Sequence, residues 1–311
     1  MSVKGPFILV PTKITDATLS SSTIAEPAAG ETAWVSAGTY VVGDERIRAG
    51  THRVYTCVLA HNGRTALPEA DPMYWLDTRA TMRWAMFDSQ VSSQTKTVTT
   101  MTVVIKPGFT NAIALYNISG THITITVKDA TGGNVIKTLD QDFYAPCPDW
   151  YEWLFSPYQN LQKVILRDIT PYDTMEYTIT MTAGVGNPVG IGMCVIGDMR
   201  PLIASLEFGG TQYGTSVQPI DYSYIKTNEY GDTQIVRRRA TTDLRAKVIL
   251  PQGDADYAIS LLQDVLATPV SFVSVDAQGY DAANVFGLVS GSLTYQSHAH
   301  SEIEINVKGL V

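Results

Sequence analysis

Cysteine is scarce in this sequence. The 311 residues contain three, Cys57, Cys147 and Cys194. They are too few and too widely spaced for a disulfide framework, and no Cys-x-x-Cys pair is present for zinc or redox chemistry. We therefore expect three buried thiols.

Clustered basic residues are also lacking. Lysine and arginine together number 22, against 30 aspartates and glutamates, which gives a net charge of −8. Binding to nucleic acid depends on clustered Lys and Arg that neutralise phosphates, so no nucleic-acid partner is expected. The one basic run is Arg237 to Arg239, and alternate residues of a strand face opposite sides. A solvated edge or a subunit contact is favoured there over a phosphate site.

Long apolar runs are missing as well. Near the N-terminus, Phe7 to Val10 form a short apolar run that Pro11 ends. A secretory signal needs about 7 to 15 apolar residues, and a transmembrane helix needs about 20. The sequence predicts no membrane insertion and a soluble chain made in a cytoplasm, although a particle assembled there can later be released.

Motifs for catalysis and cofactor binding are absent. No serine lies in a G-x-S-x-G elbow, and no GxxxxGK[ST] phosphate loop occurs. The stretch GVGNPVGIG lacks the dinucleotide-binding spacing. We interpret its glycines as a flexible or tight connection: Gly184, Gly186, Gly190 and Gly192. Neither a cofactor nor an enzymatic activity is expected.

One pair of histidines is a weak metal candidate. His298 and His300 are two residues apart, which on a strand places both side chains on one face. Glu302 and Glu304 continue that parity and could complete a site. Both glutamates alternate with isoleucines, which is also the pattern of an ordinary solvated strand. The second interpretation is favoured, and no metal is expected.

The densest group of acids and aromatics surrounds the segment PDWYEWLF. Its members are Asp140, Asp142, Asp149, Trp150, Tyr151, Glu152 and Trp153. Paired carboxylates for glycoside hydrolysis must lie about 5 to 10 Å apart, a distance that sequence does not give. We interpret the segment as a connection whose aromatic side chains plug a β-sandwich.

Alternation of apolar and polar residues is abundant. TVTTMTVVI, THITITVKD and EYTITMT each carry apolar side chains at one parity, which is typical of antiparallel strands with one buried face. The turn segments PGFTN, ATGGN and TPYD separate such strands. The pattern predicts a mainly β chain with a jelly-roll β-sandwich over residues 81–198.

The last third of the chain, residues 199–311, combines strands with one helix. In GDADYAISLLQDVLATP the apolar residues fall in adjacent i, i+4 rows. Asp254 or Asp256 can cap the start of the helix, and Pro269 stops it. We predict an α+β domain with one helix on an antiparallel sheet. Residues 1–29 are predicted to be an N-terminal strand and linker, and residues 30–80 a small separate module.

Residues 30–80 carry a series of aromatic and turn markers: Trp34, Tyr40, the Gly43-Asp44 turn, the Tyr55-Thr56-Cys57 strand, Pro68 and Trp75. This series resembles the small chitin-binding modules of carbohydrate-binding families 5 and 12. The resemblance implies a three-stranded minidomain, of a kind that also recurs in bacteriophage tail proteins. It implies sugar contacts among these residues: Trp34, Tyr40, Tyr55, His61, Tyr74 and Trp75.

One departure from that family changes the expectation. Its sugar platform uses exposed aromatic rings just after the central strand, where this sequence reads VLAHNGR. Trp34 and Trp75 fall where the family keeps structural tryptophans. We therefore expect the module to fold around Trp34, Tyr55 and Trp75 and to bind sugar weakly or not at all, with Tyr74 and His61 left as contacts.

Two longer blocks resemble bacteriophage tail-tip proteins. FTNAIALYNISGTHITITVKDATGGNVIKT, followed by DWYEWLF, is similar to their galactose-binding-like jelly roll. The closing block, from IDYSYIKTNEYGDTQIVRRRATTDLRAKVILP to EIEINVKGLV, is similar to their baseplate-attachment portion.

The resemblance implies a non-enzymatic virion structural protein of a phage tail tip or baseplate. Such a protein would be a homo-oligomer assembled in the host cytoplasm, in contact with other tail proteins through residues 200–311, with adhesion to host-surface glycans as a further role. The alternative is a bacterial carbohydrate-binding protein that recognises a cell-wall or chitin-like polysaccharide.

Overall fold

The computed structural model describes residues 5–143, 149–155, 162–205, 208–227, 231–238, 240–275 and 280–310. The predicted fold class is confirmed. The chain is mainly β, with a small three-stranded module, a β-sandwich and a C-terminal part in which a helix lies on an antiparallel sheet.

The described secondary structure is dominated by short strands. In chain order they are β1 (Phe7–Pro11), β2 (Leu19–Ser22), β3 (Thr39–Tyr40), β4 (Glu45–Arg48), β5 (Arg53–Cys57), β6 (His61–Asn62), β7 (Trp75–Ala80), β8 (Thr95–Val98), β9 (Thr100–Ile105), β10 (Ala112–Ser119), β11 (His122–Lys128), β12 (Val135–Asp142), β13 (Lys163–Leu166), β14 (Glu176–Thr182), β15 (Pro188–Pro201), β16 (Gly210–Thr211), β17 (Ser216–Asp221), β18 (Tyr224–Thr227), β19 (Thr233–Val236), β20 (Ala240–Pro251), β21 (Pro269–Val273), β22 (Asn284–Tyr295) and β23 (His300–Gly309). The α-helices are α1 (Trp150–Phe155) and α2 (Ala255–Asp264), and the 3-10 helices are Pro68–Ala70, Ala85–Phe87, Gln252–Asp254 and Asp281–Ala283.

The sandwich is formed by two antiparallel sheets. A five-stranded sheet in the order β12-β11-β14-β9-β2 packs on one half of an eleven-stranded sheet. The larger sheet follows the order β13-β10-β15-β1-β21-β22-β23-β20-β16, with β8 paired to β15 and β17 paired to β20. Burial alternates along β9, β11 and β14 as predicted, and Val103, Ile125 and Ile179 lie in the core between the sheets.

The glycine-rich stretch is a strand, and the interpretation of Gly190 and Gly192 as part of a connection was wrong. Both lie inside β15, a strand of 14 residues that is buried along most of its length. A Cβ atom on Gly192 would lie 2.5 Å from the carbonyl oxygen of Val91, and one on Gly197 would lie 1.8 Å from that of Val10. Glycine is needed here because the neighbouring backbone approaches closely.

The N-terminal strand lies at the centre of the larger sheet. β1 pairs with β15 of the sandwich on one side and with β21 of the C-terminal part on the other. Successive residues of a strand face opposite sides, so Ile8 enters the core beneath helix α2 while Leu9 enters the core on the other face. The sheet therefore runs without a break from the sandwich into the C-terminal part, and the sequence-based limit at residue 198 falls within β15.

The predicted C-terminal helix is present, but its predicted cap is not. Ala258, Leu261 and Leu262 are buried in α2, which packs against β22. Asp254 precedes the helix without a side-chain capping hydrogen bond. Its Oδ2 instead accepts hydrogen bonds from the backbone N and Oγ of Ser205, at 3.1 and 2.6 Å. The carboxylate fixes a neighbouring loop rather than the helix terminus.

Candidate functional site

The module is held together by buried aromatic rings. Its strands form the sheet β4-β5-β7 and the pair β3-β6. Tyr40, Tyr55 and Trp75 are 4%, 5% and 3% exposed and form one core with Cys57. The rings of Tyr40 and Trp75 meet edge to face at 4.9 Å between centroids. A sugar stacks on an accessible ring face, and these three rings do not offer one.

Trp34 and Tyr74, which are half-buried, are each covered by an arginine. The guanidinium carbon of Arg48 lies 5.4 Å from the ring centroid of Trp34, and that of Arg64 lies 3.8 Å from the centroid of Tyr74. Both distances are within the range of a cation–π interaction. One face of each ring is therefore already occupied by the protein itself.

Carboxylates fix both arginines in place. Arg48 donates two hydrogen bonds to Glu69, at 3.2 and 3.1 Å, and Nε of Arg64 donates to Asp71 at 2.9 Å. Burial alone would raise the pKa of Glu69, but the hydrogen bond from Arg48 contributes to a net lowering of that pKa. Paired, hydrogen-bonded arginines hold their geometry better than isolated surface cations.

His61 joins the sequence-predicted residues into one cluster. Its ring centroid lies 5.4, 5.1 and 5.3 Å from those of Tyr40, Tyr74 and Trp75. Its Nδ1 is 3.0 Å from the carbonyl oxygen of Leu59. The structure thus brings His61 together with the aromatic residues predicted from the sequence, in an arrangement of mutual packing.

The predicted parity of His298 and His300 was wrong. His298 lies in the turn before β23, and His300 is the first residue of that strand. The Nδ1 of His300 is 2.9 Å from Oγ of Ser297. In the part of the chain that the structure describes, no group of three or more His, Cys, Asp and Glu residues is arranged to hold a metal ion.

The aromatic residues expected to plug the sandwich do not all do so. Trp150 and Tyr151 lie on helix α1, and their side chains are 74% and 59% exposed to solvent. The side chains of Glu152 and Trp153 lie outside the described residues. The plug interpretation is therefore wrong for Trp150 and Tyr151, which form an exposed aromatic pair with centroids 6.3 Å apart.

Two acids of the same sequence cluster bind a histidine instead. Asp142 and Asp140 on β12 face His122 on the neighbouring β11, at 2.7 Å from Nδ1 and 2.8 Å from Nε2. The doubly protonated imidazolium can donate to both carboxylates. These hydrogen bonds, to Asp142 first and then Asp140, raise the pKa of His122.

A cleft of about 640 Å³ lies beside the module, where it meets the sandwich. His52 lies at its wall and stacks on Trp84, with 4.1 Å between ring centroids. Its Nδ1 faces Glu26 at 3.1 Å, and its Nε2 faces Asp16 at 3.0 Å. Sequence reasoning missed this group, because its members are spread over about 70 residues and follow no motif. Its contacts tie the module to the segment that follows β1.

A hairpin extends from the edge of the C-terminal part. Its strands, β18 and β19, pair with each other and with no other described strand. Ile225 and Ile235 are directly opposite in this pair and are 67% and 65% exposed. Large exposed apolar residues that lie together mark interaction surfaces.

Aromatic and basic residues flank that apolar pair. Tyr222 and Tyr224 are also exposed, and the guanidinium carbon of Arg238 lies 4.8 Å from the ring centroid of Tyr224. Arg237 is exposed beside it, and Arg239 lies outside the described residues. The basic run is thus at the base of the projecting hairpin, where a solvated edge or a subunit contact had been predicted.

Comparison with known proteins gives little support for a family. No protein-family model matches the chain, and no curated protein matches it. A solved variant of chitosan-binding module 1, from a chitosanase/glucanase of Paenibacillus sp. IK-5, aligns with 37% of this chain and 82% of that module, at 9% identity and a TM-score of 0.25. A TM-score of this size does not establish a shared fold or function.

The described helices are short. None of them combines the length and apolar character that crossing a membrane requires.

Proposed function

We propose that the chain is a non-enzymatic structural subunit of a phage tail tip or baseplate, which assembles with copies of itself and with other tail proteins in the host cytoplasm. The observation that carries this proposal is the exposed Ile225–Ile235 pair on the hairpin β18–β19. The sequence resemblance to tail-tip proteins supplies the biological setting.

The physical chemistry of the hairpin supports a subunit contact. An isolated two-stranded hairpin is marginally stable in water, and it gains stability when its apolar side chains pack against another surface. Its free edges also present unpaired backbone groups that can pair with another chain. A second copy of the chain would bury the isoleucine pair and satisfy an edge of the hairpin.

The test is the oligomeric state of the full-length protein. We expect wild-type protein to elute as a multiple of the 33.9 kDa chain in size-exclusion chromatography with light scattering. The double variant Ile225→Asp, Ile235→Asp should elute as a monomer that keeps the wild-type circular dichroism spectrum, because substitutions at positions exposed in the single chain alter its stability by about 0.5 kcal/mol or less. Its melting temperature should fall only by the stabilisation that assembly gives the wild type.

A matched control is Val185→Asp, which changes a 95% exposed valine in the turn between β14 and β15. This variant should assemble like wild type. A monomeric wild-type protein, or an oligomer that survives the double substitution, would contradict the proposed contact. Truncation at residue 198 is a poorer test, because the cut falls inside β15 and removes part of the pairing of β1.

A second candidate function is adhesion to glycans at the host surface, or, for a bacterial protein, binding of a cell-wall polysaccharide. The exposed pair Trp150 and Tyr151 favours it, since sugar rings stack on accessible aromatic faces. A glycan array should then show ligands that wild type binds and that Trp150→Ala loses. Trp75→Ala, which alters a buried ring, serves as the comparison for loss through unfolding.

A further inference from the structure

A second cleft, of about 420 Å³, lies on the face of the large sheet opposite the five-stranded sheet. It is bordered by β10 and β13 of the sandwich and by the first residues of β20 and β22. Clefts of about 300 to 1,000 Å³ are typical of small-molecule sites. The volume suits a ligand of one sugar ring.

Lys163 places a cation at this cleft. Its Nζ donates hydrogen bonds to the backbone carbonyls of Asp281 and Asn284, at 3.1 and 2.7 Å. Both partners are neutral, and in the described part of the chain no carboxylate forms an ion pair with the ammonium group. Burial lowers the pKa of Lys163, with the charge of Asp281 opposing that effect. The ammonium is thus partly desolvated and retains a free N–H donor.

Asn284 supplies a second unsatisfied group. The residue is 6% exposed and lines the same cleft. Its Oδ1 atom is buried and has no hydrogen-bond partner. Buried polar atoms are almost always hydrogen-bonded, so an orphaned acceptor beside a cavity points to a donor supplied from outside the chain.

Lys163 is the one charged residue among the described residues that line the cleft. No Asp or Glu is among the described residues that line it, although the chain as a whole carries a net charge of −8. Thr241 and Thr242 add hydroxyl groups to its lining. A cation, an unsatisfied acceptor and neighbouring hydroxyl groups together select for a hydroxylated anion.

We propose that this cleft binds a small hydroxylated carboxylate of the size of one acidic sugar. The ligand's carboxylate pairs with the ammonium of Lys163, and one of its hydroxyls donates to Oδ1 of Asn284 once the side-chain amide of Asn284 turns towards the cleft. This inference is independent of the assembly proposed above, because the cleft and the hairpin β18–β19 share no residues.

The probes are D-glucuronate, D-glucose and acetate, each titrated calorimetrically into the full-length protein. Glucuronate carries both the carboxylate and the hydroxyls, and each of the other probes carries one of them. We expect glucuronate to bind at least about tenfold more tightly than either, since a charge-assisted contact and a hydrogen bond both contribute. Equal binding of glucose or of acetate, or no binding of glucuronate, would overturn the proposal.

Two variants test the named contacts. Lys163→Met removes the cation, and Asn284→Asp replaces the acceptor with a negative charge that repels a carboxylate. Each should weaken glucuronate binding at least about tenfold, while Lys308→Met, at an exposed lysine of β23, should leave it unchanged. If Lys163→Met fails to fold, the glucuronate affinity of Asn284→Asp still tests the proposed site. Wild-type affinity in a folded Asn284→Asp protein would overturn the assignment.

Discussion

The guanidinium of Arg64 lies over the ring of Tyr74, 3.8 Å from its centroid, and Asp71 holds it there through a hydrogen bond of 2.9 Å. A sugar could stack on that face only after displacing Arg64, which is paired with the buried carboxylate of Asp71. The module therefore uses its aromatic residues to support itself, since Arg48 covers Trp34 in the same way and the rings of Tyr40, Tyr55 and Trp75 lie in the core.

Trp75→Ala is expected to unfold the module. The residue is buried among Tyr40, Tyr55 and Cys57, and truncating a buried tryptophan costs about 3 to 5 kcal/mol. A core of so few residues cannot absorb that loss. Denaturant unfolding of the full-length protein, followed by near-UV circular dichroism and limited proteolysis, should show the module opening first.

The neighbouring residue provides the control for that substitution. Leu76 follows Trp75 in β7 but is exposed, so Leu76→Ala should change stability by about 0.5 kcal/mol or less. A folded Trp75→Ala module that loses oligosaccharide binding would show that Trp75 is a sugar contact after all.

His122 should titrate above its ordinary pKa of 6.5, because hydrogen bonds to Asp142 and Asp140 favour the imidazolium. Because folding raises the pKa of His122, its ion pairs stabilise the folded protein fully at a pH below the pKa of this residue in the unfolded chain. This stabilisation is lost as the pH rises through the pKa of His122 in the folded protein. NMR titration of the imidazole signals measures this directly.

Asp142→Asn should move the pKa of His122 back towards 6.5, because it removes the carboxylate with the largest effect. Asp256→Asn, on the solvent side of helix α2, should leave that titration unchanged. A His122 pKa at or below 6.5 in the wild-type protein would contradict the bridging geometry.

Much of the strand pattern could be predicted from local sequence, and the errors have a common cause. β9, β11 and β14 have one solvated face, so their alternation is visible in the sequence. β15 is buried on both faces, and the backbone of neighbouring segments packs directly against its glycines. Its sequence therefore lacks alternation and looks like a connection.

The sites were harder to predict because they depend on contacts between distant residues. His122 lies 18 residues from Asp140, and Lys163 contacts the backbone of Asn284 across 121 residues. Nothing local distinguishes these residues from ordinary surface charges. By contrast, the members of the module's aromatic cluster could be named beforehand, because their order along the chain resembles that of a known family of small modules.

Cys57 and Cys194 should be unreactive in the native protein. Both are almost fully buried, and burial raises the pKa of each thiol, which lowers the fraction present as the reactive thiolate. In a Cys147→Ser variant, a colourimetric thiol reagent should detect no free thiol before denaturant is added and two afterwards. Cys147 itself lies outside the described residues. Rapid labelling of the native variant would contradict the burial of one of the two sites.

The central position of β1 predicts that the sandwich and the C-terminal part unfold together. Ile8 and Leu9 are fully buried on opposite faces of this strand, and each truncation to alanine should cost about 2 to 5 kcal/mol. Because β1 bonds to β15 and β21 at once, loosening it removes support from both halves of the sheet.

Thermal unfolding followed by calorimetry, and by a probe in each half, tests this coupling. Ile8→Ala and Leu9→Ala should each lower the temperature of one shared transition, whereas Val98→Ala, at an exposed position of β8, should leave it nearly unchanged. If Ile8→Ala shifted one transition and left a second in place, the two halves would be separate folding units, as the sequence-based limit at residue 198 had suggested. A single shifted transition would instead mean that a continuous hydrogen-bonded sheet joins them, with the N-terminal strand as the common element.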